Sequence, residues 1–221
     1  MNEPFKLVVE LATPFITGKL RTNLDALLSA AVFNATGLRG EETIPHIPLA
    51  SEHGIFKAST LFCHPRYSFE AEGRVMALRG RSDLDPDLFA PNGRGNRYVK
   101  IDMARGDYKT NMSTYQAIRT REVYWWGVGD PDHAVELIQN HILGIGKRSN
   151  AGAGQIAAVR AEASEDHSWI TPSGAPARPL PLSVWQDISG GRPATEGSIA
   201  VRLPYWDDAR ELAVFPTDLV A

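Results

Sequence analysis

The sequence predicts an α+β fold on three observations: strand-period alternation near the start and a β-branched, aromatic run in the middle, two segments of helical apolar spacing, and a glycine-rich connection leading into a last alternating strand. With 221 residues, 43% of them apolar, the chain can bury a sizeable core as one elaborated domain or two small ones.

Phe5, Leu7, Val9 and Leu11 alternate with Lys6, Val8 and Glu10, the period of a strand with one buried face. After the turn region TPFITGK, Asn23 is placed to cap a helix. In it Leu24, Leu27, Leu28, Ala31 and Val32 form one stripe, and Gly37 ends it. Ile44–Ala50 carries two prolines and reads as an edge or irregular strand, while GIFKASTLF at 54–62 reads as a better one.

From His64 to about Ser113 the pattern loosens, and PRYS, LDPD, APNGRGN and ARGD mark repeated turns. RVMAL and RYVKIDM read there as two hairpin arms joined through PNGRGN. Order returns with the strand TREVYWWGV at 120–128. Asp130 caps a second helix with Pro131 at its first position; Val135, Ile138 and Ile142 are its buried stripe and Gly144 its stop. QIAAVRAEA at 155–163 is the next strand, and SIAVRLPYW at 198–206 follows a proline-rich connection.

Without the insertion, the order strand, helix, strand, strand, helix, strand makes two split βαβ units, a four-stranded ferredoxin-like sheet with both helices on one face. The expected divisions are 1–63 (first half), 64–118 (inserted basic, thumb-like region), 119–163 (second half with the glycine-rich loop) and 164–221 (C-terminal β extension).

No stretch has the length and apolarity of a membrane span, and MNEPFKLVVE lacks the basic start of a signal peptide, so a cytoplasmic protein is expected. Cys63 is the single cysteine, which excludes an internal disulfide and a cysteine-based zinc cluster. It reads as a small, partly buried side chain. The net charge is −3, but it is unevenly spread. Between Arg94 and Arg121 seven bases face two acids, and from Ala161 onward four bases face nine acids. A basic segment within an acidic protein points to a local polyanion site, with a merely solvated surface as the alternative.

The segment GIGKRSNAGAG at 144–154 holds Gly144, Gly146, Gly152 and Gly154 around Lys147, Arg148 and Ser149. Glycines permit positive φ and close approach, and exposed amides beside Lys and Arg hold phosphate oxygens. A phosphate-binding P-loop would need glycine at 141 and Ser or Thr at 148, where His141 and Arg148 stand. A dinucleotide fingerprint lacks its third glycine and its following helix. ATPase and dehydrogenase functions are therefore excluded, and the remaining alternative is a flexible turn.

A glycine-rich loop after the second helix of such a domain resembles the hallmark of the RAMP superfamily of CRISPR proteins. LVVELATPFITGKLRTNLDALLSAAVF, IPLASEHGIFKAS and RLPYW resemble blocks of the Cas-five-type subunit of type IV CRISPR effector complexes. The resemblance implies a non-catalytic subunit of a cytoplasmic ribonucleoprotein of antiviral defense. Such a subunit caps the five-prime handle of the crRNA, touches Cas-seven-type backbone subunits and inserts a thumb against the RNA. It also brings a large subunit, a DinG-type helicase and target DNA into the partner set, with no membrane and no cofactor or metal. The RNA-binding residues it points to are Gly144, Gly146, Lys147, Arg148, Ser149, Gly152 and Gly154 in the loop, and Arg94, Arg97, Lys100, Arg105 and Lys109 in the insertion.

Related proteins of the Cas-six type cut precursor RNA by general acid–base chemistry, so a metal-independent crRNA-processing endoribonuclease is the alternative. His46, His53 and His64, with Lys57 and Tyr67 near in sequence, are its candidates, although their spacing is no metal signature. His133 and His141 read as packing residues of the second helix. Tyr124 and Trp126 share a strand face that Trp125 cannot, so at least one tryptophan belongs to the core and none is given a base-stacking role. Tyr205 and Trp206 read as packing anchors, with a subunit contact as the alternative.

Overall fold

A computed structural model describes residues 2–18, 21–76, 85–102, 104–105, 108–206 and 209–221. In chain order its elements are β1 (Glu3–Leu11), α1 (Leu24–Thr36), β2 (Ser51–Glu52), β3 (Ile55–Phe56), β4 (Phe62–Cys63), β5 (Tyr67–Met76), β6 (Asn111–Thr120) and β7 (Glu122–Gly129). They continue with α2 (Pro131–His141), β8 (Ile156–Ala163), β9 (Leu180–Pro181), α3 (Leu182–Ser189), β10 (Glu196–Ile199) and β11 (Glu211–Val214). The chain forms two compact units, Met1–Phe69 with Ile118–Ala221, and Glu70–Ala117.

The first unit is built on an antiparallel four-stranded sheet in the order β4, β7, β1, β8. On central β1, Leu7 stands opposite Trp125 on one side and Ala161 on the other. Alternation sends Phe5, Leu7, Val9, Val123 and Trp125 into the main core, with Leu24, Leu28 and Ala31 of α1 and Ala134 and Ile138 of α2. Both helices thus bury their apolar stripes on one sheet face, at about 1.5–3 kcal/mol per large side chain. The opposite face carries Val8, Tyr124 and Trp126, packed with Phe62 and Ala177. Trp125 and Trp126 are both buried, on opposite faces.

The helix ends follow local chemistry with two departures. Gly37 adopts φ 82° and its amide donates to Phe33 O. Asn23, expected as a cap, makes no side-chain capping bond; the Leu24 amide donates to Ser59 O instead. In α2, the Asp130 carboxylate accepts from the His133 amide at 3.0 Å, ahead of Pro131. The helix stops at His141, before Gly144: the Ile142 amide still makes the last helical bond, to Ile138 O, but Ile142 itself is extended, with φ −121° and ψ 113°. Its buried residues are Ala134, Leu137 and Ile138, with Val135 only half-buried.

Residues 44–50 are not a strand: Gly40–His46 is a 3-10 turn, and Leu49 reaches β7 by one isolated bridge at Gly129. A Cβ on Gly129 would lie 2.1 Å from Pro48 O, so glycine lets the two backbones cross. The stretch 54–62 is broken into β3, a bridge of Ala58 to Gly127, and the start of β4. It breaks because its amides are shared, Ser59 donating to Trp126 O and Thr60 to Ala177 O of the extension. The late strand ends at Ile199, after which Val201 O accepts from Arg178. In the extension, β10, β11 and β9 form a second sheet over a core of Trp169, Leu180, Trp185 and Val214.

In the second unit β5 pairs with β6, so RYVKID at 97–102 is not a hairpin arm, and Met103 lies outside the described residues. Asn92 Oδ1 accepts the amides of Arg94 and Asn96, making PNGRGN a local turn, and beyond it Val99 is 98% exposed where a strand would need a partner. Tyr108 packs edge-on against Phe89 and Tyr98 at centroid separations of 4.9 and 5.1 Å. The end of RVMAL, Leu84 of LDPD and the Gly106–Asp107 half of ARGD lie outside the described residues.

Candidate nucleic-acid interface

The glycine-rich loop is a folded, tightly packed structure rather than a slack turn. The Lys147 amide donates to Ile16 O at 2.7 Å, Gly154 to Pro14 O at 2.8 Å and Ile145 to Gly154 O at 2.8 Å. Thr13 Oγ1 donates to Gly152 O at 2.8 Å and accepts from the Gln155 amide at 2.9 Å. Two glycines are required by this packing: at Gly146 (φ 83°) a Cβ would meet Ile16 O at 2.5 Å, and at Gly154 (φ 60°) it would meet Ile145 O at 2.1 Å. Gly144 is only tight, and Gly152 (φ 86°) faces open space.

The amides of Ile145, Lys147, Ala151, Gly152, Ala153 and Gly154 are thus bonded within the protein. That corrects the expectation of a loop offering its amides generally to phosphate, because the close backbone approach that Gly146 and Gly154 permit is to the carbonyls of Ile16 and Ile145. What the fold presents outward is side chains. Lys147 is exposed, Ser149 half-buried, and Arg148 holds φ 63°, a left-handed conformation uncommon outside glycine.

Lys147 and Ser149 border a groove of about 630 Å³, whose other wall is α1 (Ala26, Ala30, Asn34) and whose end is His141. Asn34 Nδ2 donates to His141 O at 2.8 Å, tying α1 to the end of α2 across it. His141 is therefore a groove residue and not simply a packing one, and His133 is exposed. Among the endoribonuclease candidates, His46 and His53 are exposed, His53 lies 3.6 Å from Glu52, and His64 Nδ1 accepts from the Arg66 amide.

Arg94, Arg97, Lys100, Arg105 and Lys109 all belong to the Glu70–Ala117 unit and all are exposed. Arg97 sits 3.3 Å from Asp87, an exposed pair of little energetic weight. The loop residues belong to the other unit.

Sequence reasoning missed a residue that organises the first unit. Arg178, counted with the bases of the tail, is fully buried. It donates to Phe56 O at 2.6 Å, Val201 O at 3.2 Å, Asp25 Oδ2 at 3.2 Å and the Tyr205 hydroxyl at 2.6 Å. Burial alone disfavours its charge, but Asp25 and Tyr205 outweigh that and raise its pKa. An arginine inside a proline-rich connection gives no sequence sign of burial. Tyr205 is thereby an anchor, as expected, whereas Trp206 is 72% exposed and is not one.

The stacking face of the sheet is also accounted for. Tyr124 and Trp126 are buried under Phe62 and Ala177, with Ala221 against them, so the extension occupies the surface on which a sheet-binding RNA module would lay bases. Cys63 is fully buried, and burial pushes its thiol up to about 11, which leaves no thiolate for chemistry near neutrality.

A four-stranded antiparallel sheet backed by two helices, with a second, three-stranded sheet in the extension, makes this an α+β protein. Residues 3–216 match the family model of the CRISPR type IV associated protein Csf3, and the chain belongs to that family. A role associated with type IV CRISPR systems follows from that membership. No curated protein matches the chain. No helix among the described residues is long and apolar enough to cross a membrane.

Proposed function

We propose that this chain is a non-catalytic, crRNA-binding structural subunit of a type IV CRISPR ribonucleoprotein, capping the five-prime handle of the guide and contacting a Cas-seven-type backbone subunit. The observation that carries this reading is the groove of about 630 Å³ bordered by Lys147 and Ser149 on a loop pinned to Pro14 and Ile16. A phosphate backbone needs fixed cations, and pinning lowers the entropy lost when they engage it. The sheet order β4, β7, β1, β8 with α1 and α2 on one face supports a ferredoxin-like, RAMP-type domain. Arg94, Arg97, Lys100, Arg105 and Lys109 supply a second, separate set of phosphate contacts from the inserted unit. RNA that co-purifies with the complex then has one defined, repeat-derived five-prime end; heterogeneous termini would count against the capping role.

The endoribonuclease reading has one observation in its favour, His141 at the end of the groove. Incubating the chain with repeat RNA in EDTA separates the two readings. Site-specific cuts lost in His141→Ala replace the structural role with catalysis, and intact RNA retains it.

A further inference from the structure

The four-stranded sheet has two edges, and the chain treats them differently. At β4 the Cys63 amide donates to Leu219 O at 2.7 Å, so the extension covers that edge. At the other end of the sheet β8 pairs with β1 alone. Only the start of β8 is covered, where the Ile156 amide donates to Leu143 O at 3.1 Å. Beyond it, one bond gives the phase of the ladder. The Ser164 amide donates to Pro4 O at 3.4 Å, which turns Ala158, Arg160 and Glu162 toward β1 and leaves the N–H and C=O groups of Val159, Ala161 and Ala163 pointing away from the sheet. Proteins protect an open edge with lysine, proline or a bulge. β8 has no Lys and no Pro, and its one irregularity lies at its start, opposite Glu10 and Leu11. Its two charges lie over the sheet face turned away from the helices, where Arg160 donates to Glu162 at 3.0 Å, Glu122 at 3.1 Å and Glu10 at 3.2 Å.

We infer that this edge is a homodimer interface: β8 pairs antiparallel with β8 of a second copy about a two-fold axis at Ala161, joining the two sheets into one. The strand itself specifies this occupant. Only outward-facing residues exchange backbone bonds across the seam, and setting Ala161 against Ala161 and Val159 against Ala163 pairs all of them. The same register places Arg160 opposite Glu162 of the second copy, twice by symmetry, at the non-hydrogen-bonded positions where cross-strand side chains come closest. Sliding one strand by two residues keeps the backbone in phase but sets Arg160 against Arg160 in one direction and Glu162 against Glu162 in the other. Glu162 is exposed, and a carboxylate has acceptor capacity for a second guanidinium beside that of its own chain. The inference does not depend on RNA binding, because no residue from 158 to 164 borders the groove beside Lys147.

The test is sedimentation equilibrium of the purified full chain, free of RNA, over a range of concentration, with circular dichroism melts to check that each variant folds. A monomer–dimer equilibrium is expected, weaker at high salt because its charge pairs are exposed. Ala161→Pro removes an N–H that faces solvent in the free chain, so it leaves the fold and abolishes the dimer. Glu162→Arg sets arginine against arginine, and Arg160→Glu sets glutamate against glutamate. Each weakens self-association about tenfold, and an equimolar mixture of the two restores it as a heterodimer. Ala161→Cys cross-links to itself under mild oxidation, whereas Ala163→Cys, which faces Val159 across the seam, does not. A chain that stays monomeric at every concentration overturns the inference. A dimer that Ala161→Pro and Glu162→Arg both leave unchanged overturns it as well, by placing the interface elsewhere. A monomeric chain whose Ala161→Pro variant no longer joins the assembled complex gives the edge to a different subunit and removes the second copy.

Discussion

Arg178 Nη2 lies 3.2 Å from Asp25 Oδ2, an ion pair between residues 153 apart in sequence and without solvent contact on either side chain. It joins the start of α1 to the extension, and Tyr205 donates to the same carboxylate oxygen at 2.6 Å. Removing one partner strands the other as an uncompensated buried charge. Arg178→Met is therefore expected to destabilise the chain by about 3–5 kcal/mol, read from urea unfolding midpoints. Arg178→Met/Asp25→Leu recovers a large part of that loss.

The glycines of the loop divide by what surrounds them. Gly154→Ala and Gly146→Ala each drive a Cβ into a carbonyl, at 2.1 and 2.5 Å, whereas Gly152→Ala meets nothing within 4 Å and bears only its positive φ. The last costs about 1–2 kcal/mol; the first two cost more, and Gly154→Ala most. Thermal melts of the three single variants give the order, and equal losses would show that the loop is slack.

Burial raises the Cys63 thiol from its ordinary 9.0 to about 11. The folded state holds this proton more tightly than the unfolded one, so the stabilisation is intact below pH 9 and is lost as pH rises through 11. The chain should resist a thiol-reactive disulfide at pH 8 and react fully once unfolded in urea. Rapid native labelling at pH 8 would place Cys63 at the surface.

Of the five tryptophans, Trp125, Trp126, Trp169 and Trp185 are buried and Trp206 is exposed. Acrylamide should quench one accessible component of the fluorescence, and Trp206→Phe should remove that component with no measurable change in melting temperature.

The legible part of the fold was the part fixed by local pattern. The alternation of Phe5, Leu7 and Val9, the stripe of α1 and the Asp130–Pro131 start of α2 all recur where periodicity put them. The irregular edge was not legible, because residues 44–62 are shaped by β7 and by Ala177, far away in sequence. The loop was found from its glycines, but what Gly146 and Gly154 accommodate, the carbonyls of Ile16 and Ile145, depends on how the loop folds onto residues 14–16 and carries no motif. Asn34 and His141 lie 107 residues apart and carry no motif, so the groove they help to close had no sequence signal.

The most direct test of the account is RNA occupancy of the assembled complex as a function of salt, for the parent and Lys147→Ala/Arg148→Ala. The account predicts lower occupancy in the variant at every salt concentration, and a slope of log affinity against log salt flatter by about 1.4, two single-strand phosphate contacts. Equal occupancy and an equal slope would contradict it.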